Sequence, residues 1–396
     1  VPVAIGTILF VDLLMLLAKS GNGAVAGVMS FIAVILLVIV FHEFGHFLTA
    51  KAFGIKVTEF FVGFGPRVWS VRKGETEYGI KAIPAGGYVR IAGMNPLTEE
   101  PPEDYARTFG AKPAWQRLIV LVSGAATHFI LAFVLLIVYF GAIGMPRYAA
   151  VIGGVEKKLD GQTSPAAAAG IQPGDRVITV DGRPVDGEEF ITYTRSHVGE
   201  PIEIVVERDG ERRQFVVRPV LSEVAGQKVG RLGVVLTTGE VVSRERVGPL
   251  TAVGDSASLI GRGTVDSLKA VGRVFGPEGI GRLIQLLKGD QRTLDDPVGL
   301  VGAGRLAGQA VAAGQFDAFF GLFISFNIFV GLLNLLPVPP LDGGHVLLLG
   351  IEKVRGRPVD LRRVIPVMAV VAGFLILYTI TLLYVDIRNP IPNPFR

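Results

Sequence analysis

Three ionisable residues, His42, Glu43 and His46, stand at the end of an apolar run, Ala24–Phe41, that carries no charged side chain. They form an H-E-x-x-H pattern. On a helix His42 and His46 lie one turn apart on the same face and can hold one metal ion together. Glu43, next to them, is placed to take a proton from water activated at such a site. Zinc is the natural occupant, because it accepts imidazole and carboxylate ligands and keeps an open position for water. The plain alternative is a chance pentapeptide. Against it, charged groups at the centre of a membrane span cost roughly 2.5–3.5 kcal/mol each on insertion scales, and two of the chain's 5 histidines are here. With Cys 0, thiolate zinc sites, disulfides and cysteine nucleophiles are all excluded.

A catalytic zinc wants a third protein ligand. The third apolar run ends FNIFVGLLNLLPVPPLDGGH, and its Asp342 follows Pro337, Pro339 and Pro340 and precedes Gly343 and Gly344. Such broken backbone is tolerated at membrane depth only where protein or a water-filled cavity satisfies it. Asp342 is therefore the favoured third ligand, with His128 and His345 as rivals. His128 can instead bond a neighbouring helix, and His345 can be an interfacial histidine. Asn327 and Asn334 lie in the same run, and buried amides must find partners. Asn334 is read as a donor to a substrate carbonyl or its developing oxyanion. Asn327 is read either as a substrate contact or as a helix–helix hydrogen bond.

The elements that must position these residues are membrane helices. Hydrophobic residues make up 50% of the 396, and mean hydropathy is +0.50. Ala24–Phe41, Leu118–Met145, Ala318–Leu336 and Val364–Val385 are each long enough to span hydrocarbon. The net charge of +4 is modest, and no basic block is dense enough for nucleic acid. Between the first two runs, Val68–Arg72 and Thr76–Lys81 read as two strands around a KGE turn. Between the second and third lies a polar insert, about Arg147–Asp317, that opens with alternating strands and turns. Leu250–Phe275 has helical spacing of apolar residues and reads as an amphipathic helix. Basic residues crowd both the loop after the first run and the loop before the fourth, which places both on the cytoplasmic side and the insert outside.

These motifs together resemble the site-2 protease family of intramembrane zinc metalloproteases (peptidase M50), in its bacterial RseP-like branch with one PDZ domain. HEFGH ends the first core span. FGPRVWSVRKGETEYGIKAIPAGGYVRIAGM resembles the family's membrane-associated β-hairpin with its GGYV signature. NLLPVPPLDGGH resembles its N-x-x-P-x-x-x-LDG motif, and SPAAAAGIQPGDRVITVDGRPV resembles a bacterial PDZ segment. The resemblance implies that His42, His46 and Asp342 bind one Zn2+, that Glu43 is the catalytic base, and that Asn334 positions substrate. It implies cleavage in or near transmembrane segments of single-pass membrane proteins already cut by another protease, for example an anti-sigma factor, at the bacterial inner membrane. Gly86, Gly87, Tyr88 and Val89 are the expected substrate-binding strand, by strand addition, against the alternative of a hairpin that only shields the site. Val151, Ile152, Gly153, Gly154 and Val155 are the expected PDZ groove. One departure stands out: where the family's second span commonly shows Gly-Pro and later Asn, this chain has Ala125 and His128.

The expected architecture is thus a polytopic α-helical membrane protein with four core transmembrane helices, a membrane-associated β-hairpin element and an inserted soluble PDZ-like domain. Residues 1–23 form an N-terminal extension, interfacial or an extra span. Residues 24–50, 117–146, 317–345 and 364–396 carry the four spans, the last with its tail. Residues 51–116 hold the hairpin on the cytoplasmic side, 147–220 the extracytoplasmic PDZ-like domain, 221–316 a linker with the amphipathic helix, and 346–363 a basic cytoplasmic loop. Two other classes of function compete. A PDZ-bearing membrane scaffold without catalysis needs neither HExxH nor LDG, and a metal transporter fits poorly with a peptide-binding domain.

Overall fold

The computed structural model describes residues 23–95, 98, 100–159, 161–224, 227–357 and 359–395. The N-terminal extension expected at residues 1–23 lies outside them but for its last residue. The chain divides into two compact units, one of residues 1–135 with 256–396 and one of residues 136–255.

In the first unit, four helices among the described residues are long and apolar enough to cross a membrane: Val28–Ala52, Ala114–Ile143, Phe316–Asn334 and Ile365–Arg388. They belong to α1 (Gly23–Ala52), α2 (Ala114–Val138, extended by a π turn to Ile143), α8 (Phe316–Asn334) and α10 (Ile365–Arg388). Between α1 and α2 run β1 (Val57–Lys73) and β2 (Thr76–Ile91), joined at the expected turn, where Lys73 faces Thr76. Both strands are longer than the sequence suggested, because each bends and is used twice. Phe60 is opposite both Tyr78 and Val89, and Phe61 is opposite both Gly79 and Tyr88. Residues 57–62 therefore lie between 76–80 and 87–91, while 67–73 pair with 76–81 from the other side. Gly63 at φ 90° and Gly65 at φ 82° make the bend in β1, a backbone region that residues with a Cβ rarely enter. The result is a four-segment antiparallel sheet whose outer segments are 67–73 and 87–91.

The second unit is built on a mixed set of short elements: β3 (Met145–Val155), β4 (Lys158–Leu159), β5 (Gln162–Thr163), α3 (Pro165–Ala169), β6 (Arg176–Val180), β7 (Arg183–Pro184), α4 (Gly187–Ser196), β8 (Ile202–Arg208), β9 (Glu211–Val217), β10 (Val220–Val224), β11 (Gln227–Arg231) and β12 (Val234–Glu245). Its main sheet has the order β12-β3-β6-β8-β9, with β7 paired to β6. Ile152, Val177, Val180, Phe190, Ile202 and Ile204 form the buried core. Local signals fix the helices: Ser164 caps α3, and Asp186 with Glu189 forms a reciprocal capping box on α4.

Two sequence expectations are corrected here. Residues 221–245, assigned to the linker, belong to the soluble unit, because β12 returns to pair with β3. And the start of the expected groove strand, Val151 and Ile152, is not a sheet edge. β3 is interior: Ile152 and Val151 face Leu236 and Thr237 of β12, while Ala150 and Val151 face Val177 and Arg176 of β6. The open edge of the sheet at this end belongs to β12.

The rest of the inserted segment forms α5 (Pro249–Phe275), which enters the first unit at Ser256, α6 (Pro277–Leu287) and α7 (Leu300–Ala312), followed after α8 by α9 (Asp342–Arg355). The expected amphipathic helix is α5; α6 and α7 were not foreseen. An ion pair buried on both sides fastens the segment between α6 and α7 to α10, and a backbone bond adds α7 itself. Asp386 is fully buried, accepts from Arg292 Nη2 at 2.8 Å and accepts the Gly302 N–H at 2.7 Å. A charge so placed is stable only with such partners.

Inside the soluble unit Asp175, also fully buried, accepts from Arg208 Nε at 2.5 Å and Nη2 at 2.7 Å and from the Gln172 N–H at 2.9 Å. Burial pushes the Asp175 carboxyl up, and Arg208 with the Gln172 N–H more than offsets it, holding it below its usual range. A depressed carboxylate stabilises the fold above its unfolded value of about 3.9 and loses that contribution as the pH falls through its folded value. Amide protection in β6 and β8 of the full-length protein should therefore fall on acidification below about pH 4. Asp175→Asn should remove that acid-side change and lower protection at neutral pH by roughly 2 kcal/mol. Identical profiles for the two proteins in hydrogen exchange would contradict this role.

Candidate metal centre

His42 and His46 are carried on the last turns of α1, four residues apart as a helix requires, and Asp342 is the first residue of α9. The turn between α8 and α9 is closed by glycines. A Cβ on Gly343 would overlap the backbone of Leu335 and Leu336, and one on Gly344 would overlap Pro339. This tight return brings Asp342 back against the span. Its position at a helix N-terminus also suits a negative charge.

The three side chains converge on one point. His42 Nε2 is 3.2 Å from Asp342 Oδ2, His46 Nε2 is 3.2 Å from the same oxygen, and the two Nε2 atoms are 3.3 Å apart. Ligand atoms about 2.0–2.1 Å from a tetrahedral zinc stand about 3.3 Å from one another. The triangle therefore fits that ion and leaves the fourth position open. The chemistry of the donors agrees. His46 Nδ1 donates to the Val120 carbonyl at 2.7 Å, which leaves Nε2 as a lone pair. Lone pairs of two histidines and a carboxylate facing one another repel unless a cation lies between them. The side chains of His42, His46 and Asp342 are 13%, 6% and 15% exposed, so the site is shielded from solvent without being sealed.

Of the rival ligands neither joins the group; among the described residues the cluster is His42, His46 and Asp342. His128 touches His42 on the far side of its ring, Nε2 to Nδ1 at 3.1 Å. Asn327 is fully buried, and its amide is spent on His128, Oδ1 to Nδ1 at 2.9 Å and Nδ2 to the carbonyl at 2.6 Å, the helix–helix hydrogen bond of the two readings. Asn334 ends α8. Glu43 lies beside the outer strand segment 87–91: a Cβ on Gly87 would stand 3.4 Å from Glu43 Cγ and 3.3 Å from Ile39 Cγ2. Tyr88 turns its ring away, stacked on Phe61 and donating to Glu59. Of Gly86–Val89, Gly87 is the residue placed against Glu43, with no side chain between them.

Sequence reasoning missed the residues that let the helices approach. A Cβ on Gly124 of α2 would overlap the His46 ring and come within 2.8 Å of His42 Cε1. One on Gly45 of α1 would stand 2.5 Å from the Ser123 carbonyl, and one on Gly331 of α8 would stand 2.7 Å from His128 Cβ. Small residues at helix crossings are the general device in membranes, and the SGAA run was the available signal. Thr49 and Ser123 bridge the same crossing at 2.9 Å. Gly124→Ala should therefore strip most of the zinc from purified protein, and Asp342→Asn should weaken its binding markedly, while His345→Gln leaves it unchanged. Metal content by mass spectrometry reads all three; full zinc in Gly124→Ala contradicts the packing, and full zinc in Asp342→Asn contradicts the ligand.

The geometry agrees with comparisons along the whole chain. The profile described as Peptidase family M50 matches residues 30–378. The chain is 32% identical to the zinc metalloprotease Rip1 of Mycobacterium tuberculosis strain H37Rv, an alignment that covers 93% of this chain and 98% of that protein. It is 28% identical to the zinc metalloprotease RasP of Geobacillus kaustophilus, over 91% and 98% of the two chains. To the metalloprotease MmpA of Caulobacter vibrioides it is 30% identical, over 83% and 87%. A ligand triangle of zinc's dimensions thus sits within a match that spans nearly the whole chain, and the chain belongs to peptidase family M50, the site-2 protease family, as a multi-pass membrane zinc metalloprotease.

Proposed function

We propose that this enzyme hydrolyses peptide bonds in or near the transmembrane segments of single-pass membrane proteins that another protease has already cut, as in the release of an anti-sigma factor. The observation that carries this reading is the position of Glu43. It lies between the two histidine ligands of a membrane-spanning helix and the outer segment 87–91 of a sheet, which is paired only on its inner side.

Each residue then has a task. An unwound substrate segment adds as a further strand to 87–91, which exposes its peptide bonds beside Glu43. Zinc, when bound by His42, His46 and Asp342, supplies a Lewis acid for the carbonyl and lowers the pKa of water. Glu43 takes the proton from the attacking water and passes it to the leaving amine. Asn334, at the end of α8, donates to the carbonyl oxygen as charge develops there. The hairpin and the basic segment 346–363 lie on the cytoplasmic side of a bacterial inner membrane, and the soluble residues from 147 to 245 lie outside it.

The soluble unit is read as a PDZ-like domain that screens substrates by their newly cut ends. Its groove runs between β12 and α4. A cavity of about 630 Å3 lies there, lined by Phe190, Ile191 and Thr194 on the helix and by Leu232, Val234 and Leu236 on the strand side. The open edge of β12 supports strand addition at this place.

Glu43→Gln should keep bound zinc and lose cleavage by at least about a hundredfold. Asn334→Ala should lower kcat by a comparable factor, about 10²–10³ for one lost oxyanion donor, with little change in zinc. New termini mapped by mass spectrometry inside transmembrane segments should appear in cells with the wild type and vanish with Glu43→Gln. Matching fragments in both cell types would favour a non-catalytic scaffold.

A further inference from the structure

We infer that His128 and Asn327 form a tautomer-setting chain that prepares His42 to bind zinc. The inference rests on the zinc reading above and concerns two residues outside the ligand set.

The chain is read from its fixed end. The backbone carbonyl of His128 can only accept, so the Asn327 group 2.6 Å from it is the NH2, and the amide oxygen faces His128 Nδ1. That oxygen can only accept, so His128 Nδ1 carries a proton. The remaining nitrogen of the ring, Nε2, faces His42 Nδ1 at 3.1 Å. Two arrangements exist for this contact. If His128 Nε2 held a proton, His42 Nδ1 would accept it, and a neutral His42 would carry its own proton on Nε2, where the ligand lone pair is needed. If His128 Nε2 is a lone pair, His42 Nδ1–H donates and Nε2 is free for the ion. Only the second fits the triangle at His42 Nε2, His46 Nε2 and Asp342 Oδ2.

The two histidine ligands are thus oriented differently. His46 donates to a backbone carbonyl, that of Val120, which every sequence provides. His42 donates to a side chain, and that side chain is correct only because Asn327, on another span, has fixed it. The geometry is tight: His128 is 2% exposed and Asn327 0%, and Gly331, one turn beyond Asn327, leaves room only for the His128 Cβ. His128 and Asn327 are positioning residues; neither touches the ion or the substrate.

The test measures zinc affinity of purified full-length protein by competition with a chelator, independently of proteolysis. His128→Leu removes the acceptor, and binding should weaken by about ten- to a hundredfold. His128→Gln retains an amide oxygen for His42 Nδ1–H and an NH2 for Asn327, and should bind close to wild type. On the other span, Asn327→Leu should weaken zinc, and Asn327→Asp, which as the neutral acid donates its O–H to the His128 carbonyl and still accepts from His128 Nδ1–H, should largely restore it. Equal loss in Leu and Gln variants at 128 would reduce His128 to a packing residue, and wild-type affinity in His128→Leu would remove any role; either overturns the inference. If His128→Leu does not fold, the Asn327 pair decides alone: the inference falls unless Asp exceeds Leu. His42→Leu separates the two levels. Zinc retained there would overturn the metal site itself, whereas zinc lost there but kept in His128→Leu would overturn only the chain of hydrogen bonds.

Discussion

Helix α2 reaches the two histidines of α1 only because Gly124 has no side chain. Any Cβ at that position would occupy the space of the His46 ring. The same close approach puts the Val120 carbonyl within 2.7 Å of His46 Nδ1 and lets Thr49 and Ser123 bond across the crossing. Gly45 answers from the other helix, and Gly331 repeats the device where α8 meets α2. Helices in a bilayer gain little from apolar contact with one another, since lipid offers the same surroundings. Backbone proximity and interhelical hydrogen bonds must hold them, and here both also build the metal site.

The polar groups at membrane depth form a connected set. From Asn327 the hydrogen bonds run to His128 and on to His42, and from Val120 to His46, and the ligand atoms meet Asp342 at 3.2 Å. A group left out of such a set would cost several kcal/mol in hydrocarbon. The backbone that is broken, from Leu335 to Leu341, folds on itself around Gly343 and Gly344 and delivers Asp342. Beyond the site, charge is used as a fastener: Arg117 of α2 pairs with Glu352 of α9, and Arg292 with Asp386 at the far end of α10.

What was legible in the sequence follows from how local each signal is. His42, Glu43 and His46 lie within one turn of one helix, so their spacing alone states their chemistry. Asp342 is distant, yet it is a carboxylate in an apolar region between prolines and glycines, and its rarity marked it. The hairpin turn at Gly74 and Glu75 was readable from composition. Its double use was not, since pairing Phe60 with both Tyr78 and Val89 depends on bends at Gly63 and Gly65. That the sheet edge is not β3 was hidden because the order of strands in a sheet is non-local: β12, the last strand of the same unit, takes the outer place beside β3. Gly124 was overlooked because a glycine in a membrane helix carries no sign of what it faces. His128 was legible as important and ambiguous in role; its Nε2 faces His42 Nδ1, outside the ligand triangle.

The account stands on three protein ligands of two kinds at one ion. X-ray absorption at the zinc edge of the purified full-length enzyme measures this most directly. The structure predicts a four-coordinate zinc with two imidazoles, one carboxylate oxygen and one further light ligand, all at about 2.0–2.1 Å. A third imidazole in the spectrum, as from His128 or His345, would contradict the ligand set, and with it the role of Gly124 and the bond from His128 to His42.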